Sequence, residues 1–553
     1  MRTACRRFGL GPSCWLAVVF AAALGFAPWV YGQEAAPAAL EVPPWGGLDY
    51  AERVLAEAAE AEHVVVASFG TSAEGRDLWS VRMSHTPEGG RVPVGHRKVL
   101  LIGLQHGDEP AGGAALLDMI ADLSADPDRL PHALELWVVP VLNPDGAERD
   151  QRRNANGFDL NRDHVILSQP ETRALHALAR SIRPHVVVDC HEFNRTSGDY
   201  AERGWFEWPE IMLGACSHPM IPAAIRERGQ GFVRGGMTAG AGPRFPEPDG
   251  GDFHYSRYLV GAAPGVLGGE LRPSTLDADD ARNGLALATG GVGLIIESGI
   301  RRSAQDPHAD LPRRVAAYRS LLSSILHAPI DPAVFDLHEP AFSPRGIPRA
   351  IPTDFFWVMR DPVLTPVKVI EAETGAVREV ASARVMDVVA IKSAAPLPIG
   401  YAVSGERAEA VGLARGLLEA HGLGFVELRE AAEVDAERVE LVRIEEDYDP
   451  QYHRYAGRQI TSRRAAESMV LPAGSLVVRL DALPPRDARR AAALLEPCMK
   501  FGLFQWPAWR ATVADDAVLP FLRLTTPRGL PGLDAPGFNP FATSRAASAG
   551  FAP

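Results

Sequence analysis

Cysteine is scarce in this chain: five residues among 553. Cys5 and Cys14 fall in a leader-like segment, leaving Cys190, Cys216 and Cys498, an odd number without metal-type spacing. A disulfide scaffold is therefore excluded, though a single disulfide is not. Positive charge is also short, with 56 Lys and Arg against 69 Asp and Glu and a formal net charge of −13. Such an acidic surface argues against nucleic acid or anionic lipid as the main partner. There is no internal repeat and no coiled-coil heptad. The apolar run from about Trp15 to Ala27 is short of the roughly 20 residues a bilayer span needs.

That run follows Arg2, Arg6 and Arg7 and precedes Val30 and Gly32, small residues placed for cleavage before Gln33. This is the layout of a signal peptide over residues 1–32 and predicts an exported protein, periplasmic or secreted, with no stable membrane insertion after processing. An uncleaved anchor is the competing reading, and the Arg6-Arg7 pair leaves a twin-arginine route open. Losing three arginines and no acid takes the formal charge from −13 to −16.

The full chain has the composition of a folded protein, 46% apolar and 23% charged, and a length that calls for two or more domains. Residues 33–45 read as a linker and 50–62 as a helix. Strands are then expected at 99–105, 134–141, 185–190 and 292–296, alternating with helices at 111–123, 172–182 and 313–326. Apolar runs bounded by helices indicate an α/β fold with a mostly parallel or mixed sheet covered on both faces. The prolines from Pro329 to Pro348 break the pattern near residue 330. Beyond it, strand pieces at 367–370, 388–391 and 475–480 interleave with helices at 406–421 and 486–495. The expected division is a catalytic domain over 46–328, a β-rich mixed α/β accessory domain over 329–526, and a Gly/Pro-rich tail over 527–553.

The chemistry gathers at strand ends. Gly103-Leu-Gln-His-Gly-Asp-Glu-Pro110 puts His106 and Glu109 in a tight turn just past a buried strand, where α/β sheets collect their ligands. His191 closes a second strand in Val186-Val-Val-Asp-Cys-His-Glu192. Two imidazoles and a carboxylate with a position left for water make a zinc hydrolase set, one ion per chain. Ordinary polar residues at strand ends are the plain alternative for either motif alone. A general base is also needed, and Glu297 ends the buried strand of Gly293-Leu-Ile-Ile-Glu-Ser-Gly299; an acid there is costly unless it is used or paired. The stretch Arg152 to Asp163 holds three arginines, whose forks suit a carboxylate or an oxyanion.

Taken in order, Gly70-Thr-Ser-Ala-Glu-Gly-Arg76, His106-x-x-Glu109, Arg152-x-Asn154, Asn161-Arg162, His191 and Glu297 resemble the zinc carboxypeptidase family over about residues 65–327. The resemblance implies that His106, Glu109 and His191 bind zinc. It also implies that Arg152 stabilises an oxyanion, that Asn161 and Arg162 clamp a terminal carboxylate, and that Glu297 acts as base and then as proton donor. Three features depart from the digestive members. Thr275 stands about where they carry a tyrosine, and Tyr255 and Tyr258 lie well upstream. An acid, Glu192, directly follows the third ligand, closer to deacylase-like relatives, while Asp189 is placed to orient a ligand and Cys190 to face the core. Asp280-Ala-Arg-Asn283 also differs, with Arg282 facing either substrate or a helix-start ion pair. The leading expectation is a carboxypeptidase acting on peptides. An amidase or deacylase acting on acyl-amino acids, amino-acid amides or cell-wall peptides is second, and a non-catalytic binding protein on the same scaffold is third.

Overall fold

A computed structural model describes the chain from Trp45 to Gly529, apart from residues 87–95, 196–198, 239–252, 262–269, 274, 301–309, 329–349 and five short gaps after residue 444. The expected signal peptide, nearly all of the linker and tail, and the proline-rich boundary near 330 lie outside the described residues.

The central element is an eight-stranded sheet. Its strands in chain order are β1 (Val64–Thr71), β2 (Asp77–Ser84), β3 (Arg97–Ile102), β4 (Leu134–Val139), β5 (Val186–Asn194), β6 (Ile211–Ala215), β7 (Tyr255–Arg257) and β8 (Val292–Ile300). Across the sheet they run β1-β2-β4-β3-β5-β8-β6-β7. The middle strands β4, β3, β5 and β8 are mutually parallel, whereas β1, β2 and β6 join antiparallel. The sheet is thus mixed, with a parallel centre. Val99, Leu101, Val186, Val188, Leu294 and Ile296 are fully enclosed, as parallel strands covered on both faces require.

Helix α1 (Gly47–Ala58), α2 (Pro110–Ala125) and α3 (Pro170–Ile182) fall within three residues of their expected starts. Pro110 and Pro170 sit in the first turn, where a missing N–H costs nothing. In α2, Gly112 lets the helix lie on the strand: a Cβ there would stand 2.5 Å from Cβ of Cys190. Cys190 therefore faces the core, as the strand alternation predicts, and all three described cysteines are free thiols.

Beyond residue 350 the strand pieces expected at 367–370 and 388–391 prove to be parts of two long antiparallel strands, Ala350–Glu371 and Val377–Pro396. Polar and charged residues punctuate both, so only their most apolar fragments stood out in the sequence. Trp205–Glu207 pairs with one edge of this hairpin and Glu270–Arg272 with the other. A six-stranded antiparallel sheet follows, with helices Ala408–Ala420 and Pro485–Leu495. One contiguous apolar cluster includes Leu117 and Val188 from the earlier part and Phe355, Tyr401 and Trp506 from the later one. His421 Nε2 also contacts the carbonyl of Val165 at 2.8 Å. No helix of the described residues is long and apolar enough to cross a membrane.

Candidate metal centre

The centre lies at the carboxyl ends of β3, β5 and β8. After Ile102 the chain turns sharply: Leu104 takes a positive φ of 46°, a conformation that costs a side-chain-bearing residue about 1–2 kcal/mol. It is held there by complete burial and by Asn143 N–H donating to its carbonyl at 2.9 Å. Gly107 follows, packed so tightly that a Cβ would lie 2.1 Å from the carbonyl carbon of Gly146. This turn aims His106 and Glu109 back across the sheet end. His191 arrives from β5, one residue beyond the core-facing Cys190, and Glu297 is its direct partner across the parallel β5–β8 pair.

Three donor groups converge. His106 Nδ1 is 2.9 Å from Glu109 Oε1, His191 Nδ1 is 2.8 Å from Glu109 Oε2, and the two Nδ1 atoms are 3.0 Å apart. All three residues are buried, and among the described residues they form the cluster able to hold a metal ion. Tetrahedral zinc ligands at about 2.0–2.1 Å stand about 3.3 Å from one another. A small outward movement of these side chains would therefore admit the ion, and the donor types are those zinc takes. Each imidazole is fixed from behind by an acid: His106 Nε2 by Asp159 Oδ1 at 3.0 Å, and His191 Nε2 by Asp189 Oδ2 at 2.6 Å. Carboxylates behind ligating histidines set ring orientation and basicity. Burial works against ionising Glu109, but His106 and His191 overcome it and hold its carboxyl well below the ordinary range.

Arg152 reaches the same cluster, with Nη1 on Glu109 Oε1 at 3.0 Å and Nε and Nη2 on Asp159 Oδ2 at 3.1 and 3.0 Å. Asn161 Oδ1 accepts from Ala281 N–H at 2.8 Å, and its Nδ2 lies 3.0 Å from His191 Nε2. Arg162 donates to the Asn161 carbonyl at 2.6 Å and keeps its side chain about a fifth exposed. Glu297 is buried, and burial pushes its carboxyl up to about 7; Glu109 adds to the rise, while His191, His106 and Arg152 oppose it.

Residues 52–197 match the family described as zinc carboxypeptidase. That segment is similar to zinc carboxypeptidases. Among curated relatives, carboxypeptidase 2 of Trichophyton tonsurans is 26% identical over 264 residues, covering 47% of this chain and 47% of the relative. A probable carboxypeptidase 2 of Arthroderma benhamiae is 38% identical over 133 residues, covering 23% and 25%. The chain thus spans about half the length, or less, of the curated relatives it matches. Among solved structures, a metallo-carboxypeptidase from Burkholderia cenocepacia aligns with a TM-score of 0.38 and 19% identity, covering 50% of this chain and 67% of that one. One from Pseudomonas aeruginosa, in complex with (2-guanidinoethylmercapto)succinic acid, gives 0.34 and 22%, covering 50% and 67%.

Several residues surround the centre that the sequence alone does not mark. Asp159 stood in view between Gly157 and Asn161 but received no role; an acid one residue from the buried Leu160 was the available signal. Gln105 and His164 carried no motif of their own, yet both are buried beside the ligands. Glu192 accepts from Ala111 N–H and from Arg314 Nη1, both at 2.6 Å, so it anchors the start of α2. Glu207 is pushed up to about 7, first by burial, with Arg195 opposing and Glu297 adding. A second, half-buried acid therefore stands near Glu297. The hydroxyl of Tyr318 donates to the carbonyl of His191, tying the ligand strand to the helix Leu311–His327.

Proposed function

We propose that this chain is a zinc-dependent metallocarboxypeptidase that hydrolyses the C-terminal bond of peptides. The observation that carries the reading is the convergence of His106, Glu109 and His191, each imidazole backed by its own carboxylate, beside a buried acid on the next strand. When bound there, zinc supplies Lewis acidity toward the scissile carbonyl and toward water. The chain's own groups do the rest. Glu297 takes a proton from the attacking water and returns it to the leaving amine. A carboxyl raised toward neutrality by burial suits both duties, because proton transfer works best when donor and acceptor are matched. Arg152, held on Asp159, offers an N–H group to the developing oxyanion. Arg162 pairs with the terminal carboxylate of the substrate.

The amidase or deacylase reading draws on one feature. An acid, Glu192, directly follows the candidate ligand His191, as the deacylase-like resemblance implies. We read residues 46–328 as the catalytic part and 329–526 as an accessory part along it. The N-terminal Arg2, Arg6 and Arg7 before an apolar run support export.

The test is elemental analysis of protein purified without added metal, together with hydrolysis of C-terminally free di- and tripeptides, amino-acid amides and muropeptides. About one zinc per chain and chelator-sensitive release of C-terminal residues are expected. Metal-free protein whose activity ignores chelators would overturn the zinc reading. Turnover confined to amides or muropeptides would overturn the carboxypeptidase reading alone.

A further inference from the structure

The hydrogen bond from His191 to Asp189 continues inward as a chain of enclosed polar groups whose direction can be worked out atom by atom. His191 presents Nδ1 to the other two ligands, so its single hydrogen as a neutral metal ligand resides on Nε2. Three groups lie near that hydrogen. Asn161 Nδ2 at 3.0 Å and Gln105 Nε2 at 3.3 Å are themselves donors, which leaves Asp189 Oδ2, at 2.6 Å, as the acceptor. The same oxygen accepts from Gln105 Nε2 at 2.8 Å, while Asp189 Oδ1 has no hydrogen-bond partner. Two donors thus hold this carboxylate, and one of them is the ligand it serves.

Gln105 is fixed in turn. Its Oε1 lies 2.8 Å from His164 Nε2, which must carry the hydrogen. His164 Nδ1 is then a bare acceptor and takes the Nε2–H of His176 at 3.0 Å. His176 Nδ1 is left bare, matching its lack of any partner in an enclosed position. Reversing the Gln105 amide would set its oxygen against the Asp189 carboxylate, so the whole direction follows from the ligand end. Gln105, His164, His176 and Asp189 are each at most 1% exposed. Burial lowers His164 to about 3 and His176 well below its ordinary value, so both stay neutral as the chain requires. Room for His164 is made by Gly284, where a Cβ would come within 2.5 Å of the histidine Cβ.

We propose that Gln105 is a positioning residue for the metal ligand His191, clamping Asp189 in the orientation that receives His191 Nε2–H and held in its own orientation by His164. The inference rests on the proposed zinc site. It adds that the metal affinity of that site is set partly by an amide that touches neither metal nor substrate.

The readout is the zinc dissociation constant, measured by competition with a chromophoric chelator at fixed neutral pH on the full chain. Gln105→Met keeps the side-chain length and removes both hydrogen bonds. It should weaken zinc binding by about 10- to 100-fold, the range for lost partners of ligating histidines. His164→Leu should weaken it by a smaller factor, and His164→Gln, which retains an N–H at the same reach, should restore it. Leu322→Ala, a core truncation on the helix Leu311–His327, serves as a stability control and should leave zinc affinity unmoved. Parent affinity in Gln105→Met would overturn the proposal, as would an equal loss in Leu322→Ala. If His164→Gln bound zinc no better than His164→Leu, the His164 link would fall. A parent chain that binds no zinc would overturn the proposed function itself, an outcome distinct from all of these.

Discussion

Glu297→Gln separates the chemical from the structural duty of that acid, because the two have opposite signs. Gln is nearly isosteric and mimics the neutral carboxyl, so the zinc ligands are untouched. As proton acceptor and donor Glu297 is worth at least about 100-fold in rate, and the variant should lose that much kcat/KM with its zinc content intact. Stability should move the other way. Burial raises the folded-state carboxyl from its ordinary 4.5 to about 7, so the metal-free fold binds more protons than the unfolded chain across that interval. Stability is then fully present below about pH 4.5 and falls as pH rises through about 7. A neutral Gln escapes this loss. Metal-free Glu297→Gln should match the parent near pH 4 and exceed it above pH 7, by at most about 3–4 kcal/mol for a rise of about two and a half units. Paired thermal melts of metal-free parent and variant at several pH values, with kinetics of the zinc-loaded forms, measure both effects. Full activity in the variant would remove Glu297 from the chemistry. A melting difference independent of pH would refute the burial argument.

Two further outcomes test the arginines and the ligand turn. Replacing the free terminal carboxylate of a substrate by an amide should cost about 2–5 kcal/mol in kcat/KM on the parent; Arg162→Ala should narrow that gap, whereas Arg152→Ala should slow both substrates alike. Equal parent rates on acid and amide would exclude recognition of the terminus and favour the amidase reading. Gly107→Ala forces a methyl into the backbone of Gly146, so the turn must open: folded protein should be recovered with zinc content well below one, and a fully zinc-loaded variant would contradict the packing described.

The parts of the fold readable in advance were those whose sequence carries one strong period. Val186 to Val188 and Gly293 to Ile296 are uninterrupted apolar runs, and α2 and α3 end near recognisable signals, Asp126-Pro127 and Arg183-Pro184. The His106, Glu109 and His191 cluster was legible because each ligand sits just beyond such a run. The long strands after residue 350 were not, since a hairpin with mixed polarity has no single apolar stripe. Asp159, Gln105 and His164 escaped for another reason. Their importance comes from partners 53, 84 and 59 residues away in sequence, and no local pattern encodes such pairings.

The hairpin clamp has a consequence for how the chain is made. Trp205–Glu207 waits for Val369–Glu371, and Glu270–Leu271 waits for Arg384–Val385. Strands laid down early therefore keep open edges until the ribosome has released about 400 residues. Loops of this length slow closure, and an unpaired edge invites pairing with another chain in the meantime. A fragment stopped near residue 330 would hold His106, Glu109 and His191 yet leave Trp205–Glu207 and one edge of Glu270–Arg272 without the hairpin they pair with. The stretch that carries the candidate centre is thus contiguous in sequence, while two of its strand edges are completed by residues far beyond it.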